Sequence, residues 1–304
     1  MSGAETDVHA RLLRRCGISQ CTTPTLTVPE AARLYAEAGF GSIGVWLHKL
    51  EQPDWTGGFF IPEAELPSAL VKETAAGLRA SGLTVSHVVF AGFFVTDDEE
   101  LRRHRVDATV RALEAAETLG AACLIIAPGR LEGRSPEWAH DRAARSLHEV
   151  LEARPQSPVR LGIEPVIQWQ SDYMCSIERA LQLVELVDHP QVGVFLDNFH
   201  LWHNADWDTS YVLEEVERAG GRIVGVHVND GVRASEERAV PGEGEMPVAE
   251  FVAAIERTGY AGSYDVEYVY DASRISADPA TFAPEVVVAR CRAGLEKTLV
   301  GVLA

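Results

Sequence analysis

Little in this chain is basic. The 27 Lys and Arg face 45 Asp and Glu, a formal charge of −18. Such a field repels polyanions, so nucleic acid and anionic membrane surfaces are poor partners. Cysteine is scarce: Cys16, Cys21, Cys123, Cys175 and Cys291 are scattered and odd in number. They show no zinc-ribbon spacing, and they read as reduced packing residues of a cytoplasmic protein. No apolar run approaches 18 residues and the first fifteen residues are polar and charged, so neither a membrane span nor a signal peptide is expected. A Gly-rich phosphate loop is missing as well. The first strand runs into "GISQCTTPT", and the close glycines of "PGEGEM" follow the seventh strand without a nucleotide fingerprint. No nucleophilic Ser or Cys motif stands out, and no cluster of Lys and Arg with Ser and Gly marks a phosphate pocket, which favours an unphosphorylated substrate.

What the chain does contain is alternation. Short β-rich runs at 17–22, 42–47, 84–90, 122–127, 160–166, 192–197, 223–228 and 263–268 are separated by amphipathic stretches. Several runs are apolar on consecutive positions, as strands buried on both faces should be. "PEAARLYAEAG" has Pro29 near its first turn and Gly39 just past its last, the ordinary punctuation of a helix. "DDEELRRHRVDATVRALEAAETLG" predicts the longest helix, from an acidic start to a Gly stop. Eight strand–helix units without a compositional break predict one α/β domain, a closed (β/α)8 TIM barrel over 14–304, with 1–13 a short tail or an extra helical turn.

In such a barrel, function collects where the strands end at their C-terminal sides. The fifth strand ends "LGIEPV" and supplies Glu164. The sixth ends "FLDNFH" with Asp197 and His200, the seventh ends "GVHVND" with His227, and the eighth ends "YDVEYV" with Glu267. A lone polar strand end ordinarily turns the chain or meets neighbouring backbone. Carboxylates at three of these ends, beside apolar neighbours, repel one another in a low dielectric unless a cation joins them. Glu164, Asp197, His227 and Glu267 therefore read as the ligands of one divalent metal. Three carboxylates and one imidazole suit Mn2+ best, with Mg2+ or Co2+ as alternatives.

"GIEPV", "FLDNFHLW", "VHVND" and "VPGEGEMPVAEFVAAIERTGYAGSYDVEYV" resemble the sugar phosphate isomerase/epimerase superfamily, the xylose isomerase-like barrels, most closely the branch of ketose 3-epimerases. The resemblance covers most of the chain and is strongest from about Leu161 to Tyr270. It implies that Glu164, Asp197, His227 and Glu267 bind one metal and that His200 contacts substrate. It also implies a substrate-contacting Arg shortly after the seventh strand, for which Arg233 is the expectation and Arg238 the alternative. One position departs from the branch: Gln170 stands where a second Glu is usual, and a neutral amide can hydrogen-bond a hydroxyl but cannot exchange a proton with it as a carboxylate does. The related endonuclease IV-like enzymes need an Asp-x-His pair where this chain has Glu236 and Arg238. His87 on the third strand either mimics one of their ligands or is a satisfied strand histidine.

Two carboxylates flanking a metal-bound substrate fit proton abstraction α to a carbonyl, with Glu164 and Glu267 as the acid–base pair. The expected enzyme is a metal-dependent isomerase or epimerase of a ketose or keto-sugar. A dehydratase or lyase eliminating a β-leaving group from a keto-cyclitol, dehydroshikimate or 3-keto-glycoside is the alternative. An endonuclease-like hydrolase and a non-catalytic subunit rank lower. Aromatics around the mouth include Trp46, His48, Trp55, Phe59, Phe60, Phe93, Phe94, Trp169 and Trp202. Trp46, Trp169 and Gln170 are expected to touch substrate, and the loop "LHKLEQPDWTGGFFIPEAELP" is a lid candidate. A small sugar or keto-cyclitol is the expected partner, with homo-oligomerisation left open.

Overall fold

The structure is a computed structural model that describes residues 3–47, 50, 67–300 and 302. Its strands are β1 (Cys16–Ser19), β2 (Ser42–Trp46), β3 (Thr84–Val95), β4 (Cys123–Gly129), β5 (Arg160–Ile163), β6 (Val192–Asp197), β7 (Ile223–Val228), the two-residue β8 (Asp230–Gly231) and β9 (Arg238–Ala239), and β10 (Tyr264–Val266). Among the described residues, β1–β7 and β10 close into one barrel, with β10 pairing between β1 and β7. Neighbouring barrel strands are parallel throughout. This is the (β/α)8 TIM barrel that the alternation predicts.

Local chemistry accounts for the helices. In α2 (Val28–Glu37), Thr27 and Glu30 form a capping box and Pro29 sits in the first turn. The long helix α4 (Glu99–Leu119) is capped by Asp98, which accepts from the amides of Glu100 and Leu101, and stops at Gly120 at φ +77°. Helix α5 (Pro136–Ala153) starts at Ser135, and α6 (Ile177–Val187) starts at Ser176 and buries the stripe Ile177, Ala180, Leu181, Val184 and Val187 against the barrel.

Three details differ from the sequence reading. Before the first strand runs a helix, α1 (Gly3–Arg14), longer than one extra turn, whose Leu12 and Leu13 join the core. Strand β3 runs on past Phe90 to Val95, because "VFAGFFV" stays apolar and Gly92, at φ +114°, absorbs a register shift against β4. Strands β5 and β10 stop one residue short of Glu164 and Glu267, so both carboxylates sit on the first residue beyond hydrogen-bonded strand.

Cys16, Cys21, Cys123 and Cys291 are buried, and burial pushes Cys16, Cys123 and Cys291 up to about 12. No helix among the described residues is long and apolar enough to cross a membrane.

Candidate functional site

Four strand ends converge. Glu164 follows β5, Asp197 closes β6, His227 sits within β7 and Glu267 follows β10, and all four are buried. Their centre is the imidazole of His227. Its Nδ1 stands 3.5 Å from Asp197 Oδ2, 3.5 Å from Glu267 Oε2 and 3.7 Å from Glu164 Oε1. That Nδ1 is buried with no hydrogen-bond partner. Glu164, Asp197 and His227 each offer a ligand atom within 4.8 Å of the others, a group that could hold a metal ion. An orphaned imidazole nitrogen ringed by carboxylate oxygens suits a hard divalent cation.

The electrostatics reflect this crowding. Burial pushes Glu267 up to about 7 and also raises Glu164. Burial works against the charge of Asp197 too, but the Arg238 guanidinium together with His200 and His227 outweighs it and holds that carboxyl well below the usual range. For His227, burial disfavours the charged ring, yet the Glu267 carboxylate and the oxygens of Asp197 and Glu164 raise it to about 10. Burial takes His200 down to about 3, so its imidazole is neutral at pH 7.

Arg238, not Arg233, is the arginine of this site. Arg233 is exposed, with its Nη2 on Asp206. Arg238 is half-buried, its Nη2 2.7 Å from Asp197 Oδ2, 3.0 Å from Glu267 Oε2 and 3.4 Å from His200 Nε2. The cause is a small hairpin. β8 and β9 pair antiparallel, Gly231 opposite Arg238, and the buried Asp230 carboxylate gathers the amides of Gly231, Gly242 and Met246. The chain between them carries the exposed Arg233, then returns with Arg238 against Asp197 and Glu267. Glu236, the other endonuclease-motif position, lines the outer cavity two residues before it.

Two asparagines that the strand-end reading passed over bind the ligands together. Asn229 donates to both oxygens of Asp197 at 3.2 Å, and its Oδ1 accepts the amide of Glu267 at 3.1 Å. Asn198 accepts the amide of Asn229 and donates to its carbonyl, both at 2.7 Å, stapling the end of β6 to that of β7. The only sequence signal is an Asn beside the Asp in both "LDNF" and "HVND".

A cavity of about 380 Å³ opens over Glu164, His227 and Glu267, with Trp46, Val89, Ile125 and Val166 among its apolar walls. It is of the size that takes a small ligand. A second, of about 460 Å³, continues outward past Tyr268 and Tyr270. Trp169, Gln170, His200 and Arg238 line both. The Trp169–Gln170 turn is held by Arg130, which donates to both carbonyls. Trp46 forms a fixed wall, its indole donating to Ser19. Phe93 lines the inner cavity, whereas Phe94 and Trp202 are core residues. His48, Trp55, Phe59, Phe60 and nearly all of the lid candidate lie outside the described residues.

A family model described as xylose isomerase-like TIM barrel matches residues 32–286. Among curated proteins, fructoselysine 3-epimerase of Escherichia coli O157:H7 is 25% identical over 266 residues, 84% of this chain and 90% of that protein. Among solved structures, protein SMc04130 from Sinorhizobium meliloti 1021 superposes with a TM-score of 0.78 at 24% identity, covering 94% of this chain and 99% of that one. D-psicose 3-epimerase with D-tagatose from Clostridium cellulolyticum H10 superposes with a TM-score of 0.74 at 18% identity, covering 93% and 98%.

Proposed function

The chain belongs to the xylose isomerase-like TIM barrel family, and from that premise we propose that it is a metal-dependent epimerase or isomerase of a ketose or keto-sugar. One observation carries the reading: two buried carboxylates, Glu164 and Glu267, approach the unpartnered Nδ1 of His227 from separate strands at the floor of a ligand-sized cavity. The curated fructoselysine 3-epimerase, similar over most of its length, supports the same class.

Glu164, Asp197, His227 and Glu267 would hold one divalent cation, Mn2+ by the hardness of the set. When bound, that cation supplies polarisation of a carbonyl and its adjacent hydroxyl. Glu164 and Glu267 then act as the acid–base pair: one carboxylate takes the proton on the carbon next to the carbonyl, and the other delivers a proton to the opposite face. Neutral His200 and the Arg238 guanidinium orient substrate oxygens from the side of β6. Trp169, Gln170 and Trp46 wall the sugar, and Arg238, the alternative to Arg233 under the resemblance, is the arginine proposed to contact it.

A second reading rests on Gln170. It lines both cavities and offers an amide where the ketose 3-epimerase pattern has a carboxylate. Loss of that carboxylate suits elimination of a β-leaving group after the same proton abstraction.

Incubating ketoses, keto-cyclitols and 3-keto-glycosides with the protein and Mn2+ in heavy water, followed by NMR, separates these readings. An epimerase gives the inverted sugar labelled at the inverted carbon. An isomerase moves the carbonyl and labels its neighbour, and a lyase or dehydratase gives an unsaturated product. Metal bound without solvent exchange in any candidate would overturn the α-proton mechanism.

A further inference from the structure

We propose that His87 is a positioning residue for the metal centre: a chain of hydrogen bonds, Asp265–Ser86–His87–His227, holds His227 with the lone pair of its Nδ1 free for the cation. The inference rests on the metal-site reading above.

The chain of contacts is continuous. His227 Nε2 lies 3.0 Å from His87 Nε2, and His87 Nδ1 lies 3.1 Å from Ser86 Oγ. The hydroxyl of Ser86 donates to Asp265 Oδ1 at 2.9 Å, and that of Ser42 donates to the same oxygen at 3.0 Å. His87, His227, Ser42 and Asp265 are buried and Ser86 is half-buried, with Val89, Ile125, Phe195 and Val224 forming an apolar cluster in the barrel. The two imidazoles meet edge to face at 4.7 Å, and Phe195 packs edge-on against both.

Each nitrogen of a neutral imidazole either donates or accepts. If His227 is to present a lone pair at Nδ1, its proton must sit on Nε2 and be donated to His87. His87 must then carry its own proton on Nδ1 and donate it to Ser86, leaving the Ser86 hydroxyl hydrogen for Asp265. In that direction every donor along the chain has an acceptor, and Asp265 Oδ1 receives two hydroxyls. In the opposite direction Ser86 donates to His87, Asp265 loses one of its two donors, and a proton blocks Nδ1 of His227. Asp265 therefore biases the chain toward the metal-competent arrangement. An imidazole ligand is ordinarily oriented by a partner at its other nitrogen; here that partner is a second imidazole, itself oriented by a serine and a carboxylate.

The backbone makes room for this chain. A methyl group at Gly44 would collide with the His87 ring, and one at Gly17 would collide with Asp265 and Ser42. Both glycines lie on barrel strands, where a bare Cα leaves space for a polar group at the axis.

The test is Mn2+ binding to metal-stripped protein, read from the EPR signal of the free ion, for wild type, His87→Leu, His87→Gln and Ser86→Ala. His87→Leu removes the acceptor and is expected to weaken Mn2+ binding by roughly 10–100-fold with the melting transition retained. Gln carries an amide oxygen that can accept from His227 Nε2 and is expected to restore most of that loss. Ser86→Ala, which removes a single oxygen and spares the fold, is expected to weaken binding several-fold. In the 15N spectrum of the Mg2+-loaded wild type, His227 should carry its proton on Nε2. Unchanged affinity in both His87→Leu and Ser86→Ala, or a Gln variant as weak as Leu, would overturn the proposal. Wild type that binds no Mn2+ would overturn the metal-site reading beneath it, so the two failures are distinguishable.

Discussion

Asp197 serves three partners at once. It caps the helix that follows it, α7 (Asn198–Asn204), by accepting the amide of Phe199 at 2.8 Å, receives the amide group of Asn229, and pairs with Arg238. Rigidity of this kind suits the metal-ligand role proposed for Asp197, because a cation would meet a preset geometry. Glu164 and Glu267 are held differently: each backbone amide is fixed, on Ile126 O and Asn229 Oδ1, while the carboxylate faces the cavity. Facing the cavity fits groups that must exchange protons with a ligand there, Glu267 doing so beside the Arg238 guanidinium 3.0 Å from its Oε2. Glu164→Gln and Glu267→Gln are accordingly expected to lower turnover by at least roughly a hundredfold, the scale of one general acid or base. Metal content by elemental analysis must accompany the rates, since each change also weakens a ligand. His227→Ala should lose the metal while its circular dichroism stays that of the wild type, and chelation of wild type should abolish turnover reversibly. Full activity in a chelated, metal-free sample would refute the assignment.

At the scale of elements, the clamp between α4 and α5 is the clearest polar determinant of packing. Arg102, buried on α4, donates to Glu99 on its own helix and reaches Glu149 and Ser146 on α5 at 2.9–3.0 Å. Hydrogen bonding from Arg102 holds the Glu99 carboxyl down to about 2. Because that value lies below the ordinary one, the folded state favours the ionised form. The resulting stabilisation is complete above about pH 4.5 and is lost as pH falls toward 2. Arg102→Met keeps the apolar stem and removes the donors, and should cost about 1–3 kcal/mol at pH 7, the worth of hydrogen bonds to charged groups. Urea unfolding of both proteins between pH 7 and pH 2.5 should show that difference narrowing only below about pH 4.5. A gap as wide at pH 2.5 as at pH 7 would assign the effect to packing. The β8–β9 hairpin is the functional counterpart of this clamp, since a pair of backbone strands and one buried Asp decide which arginine enters the site.

For the molecule as a whole, closure of the barrel places chemistry and stability at opposite ends, as the fold requires. Helix α1 belongs to the stabilising end. Arg15, just after it, donates to the carbonyls of Tyr260 and Gly262 and pairs with Glu256, and Arg292 donates to Leu13 O and Gly39 O. Deleting residues 1–13 should therefore lower the melting temperature, at a cost of about 3–6 kcal/mol for exposing the surroundings of Leu12 and Leu13. Mn2+ affinity at the far end should stay unchanged. Loss of metal binding at temperatures where the truncated protein is still folded would contradict that separation of ends.

How much of this was legible from residue order follows from what is local. Consecutive apolar runs, helix caps such as Asp98 and stops such as Gly120 depend on a few neighbours in the chain, so the alternation of strand and helix, and with it the barrel, could be read directly. Glu164, Asp197, His227 and Glu267 each end a recognisable strand, and once the barrel closes its parallel strands bring such ends to one face. The sequence by itself thus determined the fold and the convergence of those four side chains. Only the tertiary structure decided that Arg238 rather than Arg233 meets them, because a hairpin's return depends on β8–β9 pairing and on Asp230, not on counting residues from His227. It alone brought Asn198, Asn229 and the chain from Asp265 through His87 to His227 into place. Apart from the adjacent Ser86 and His87, those contacts join residues 31 to 179 positions apart, and spacing along a chain carries no information about distances across a closed barrel.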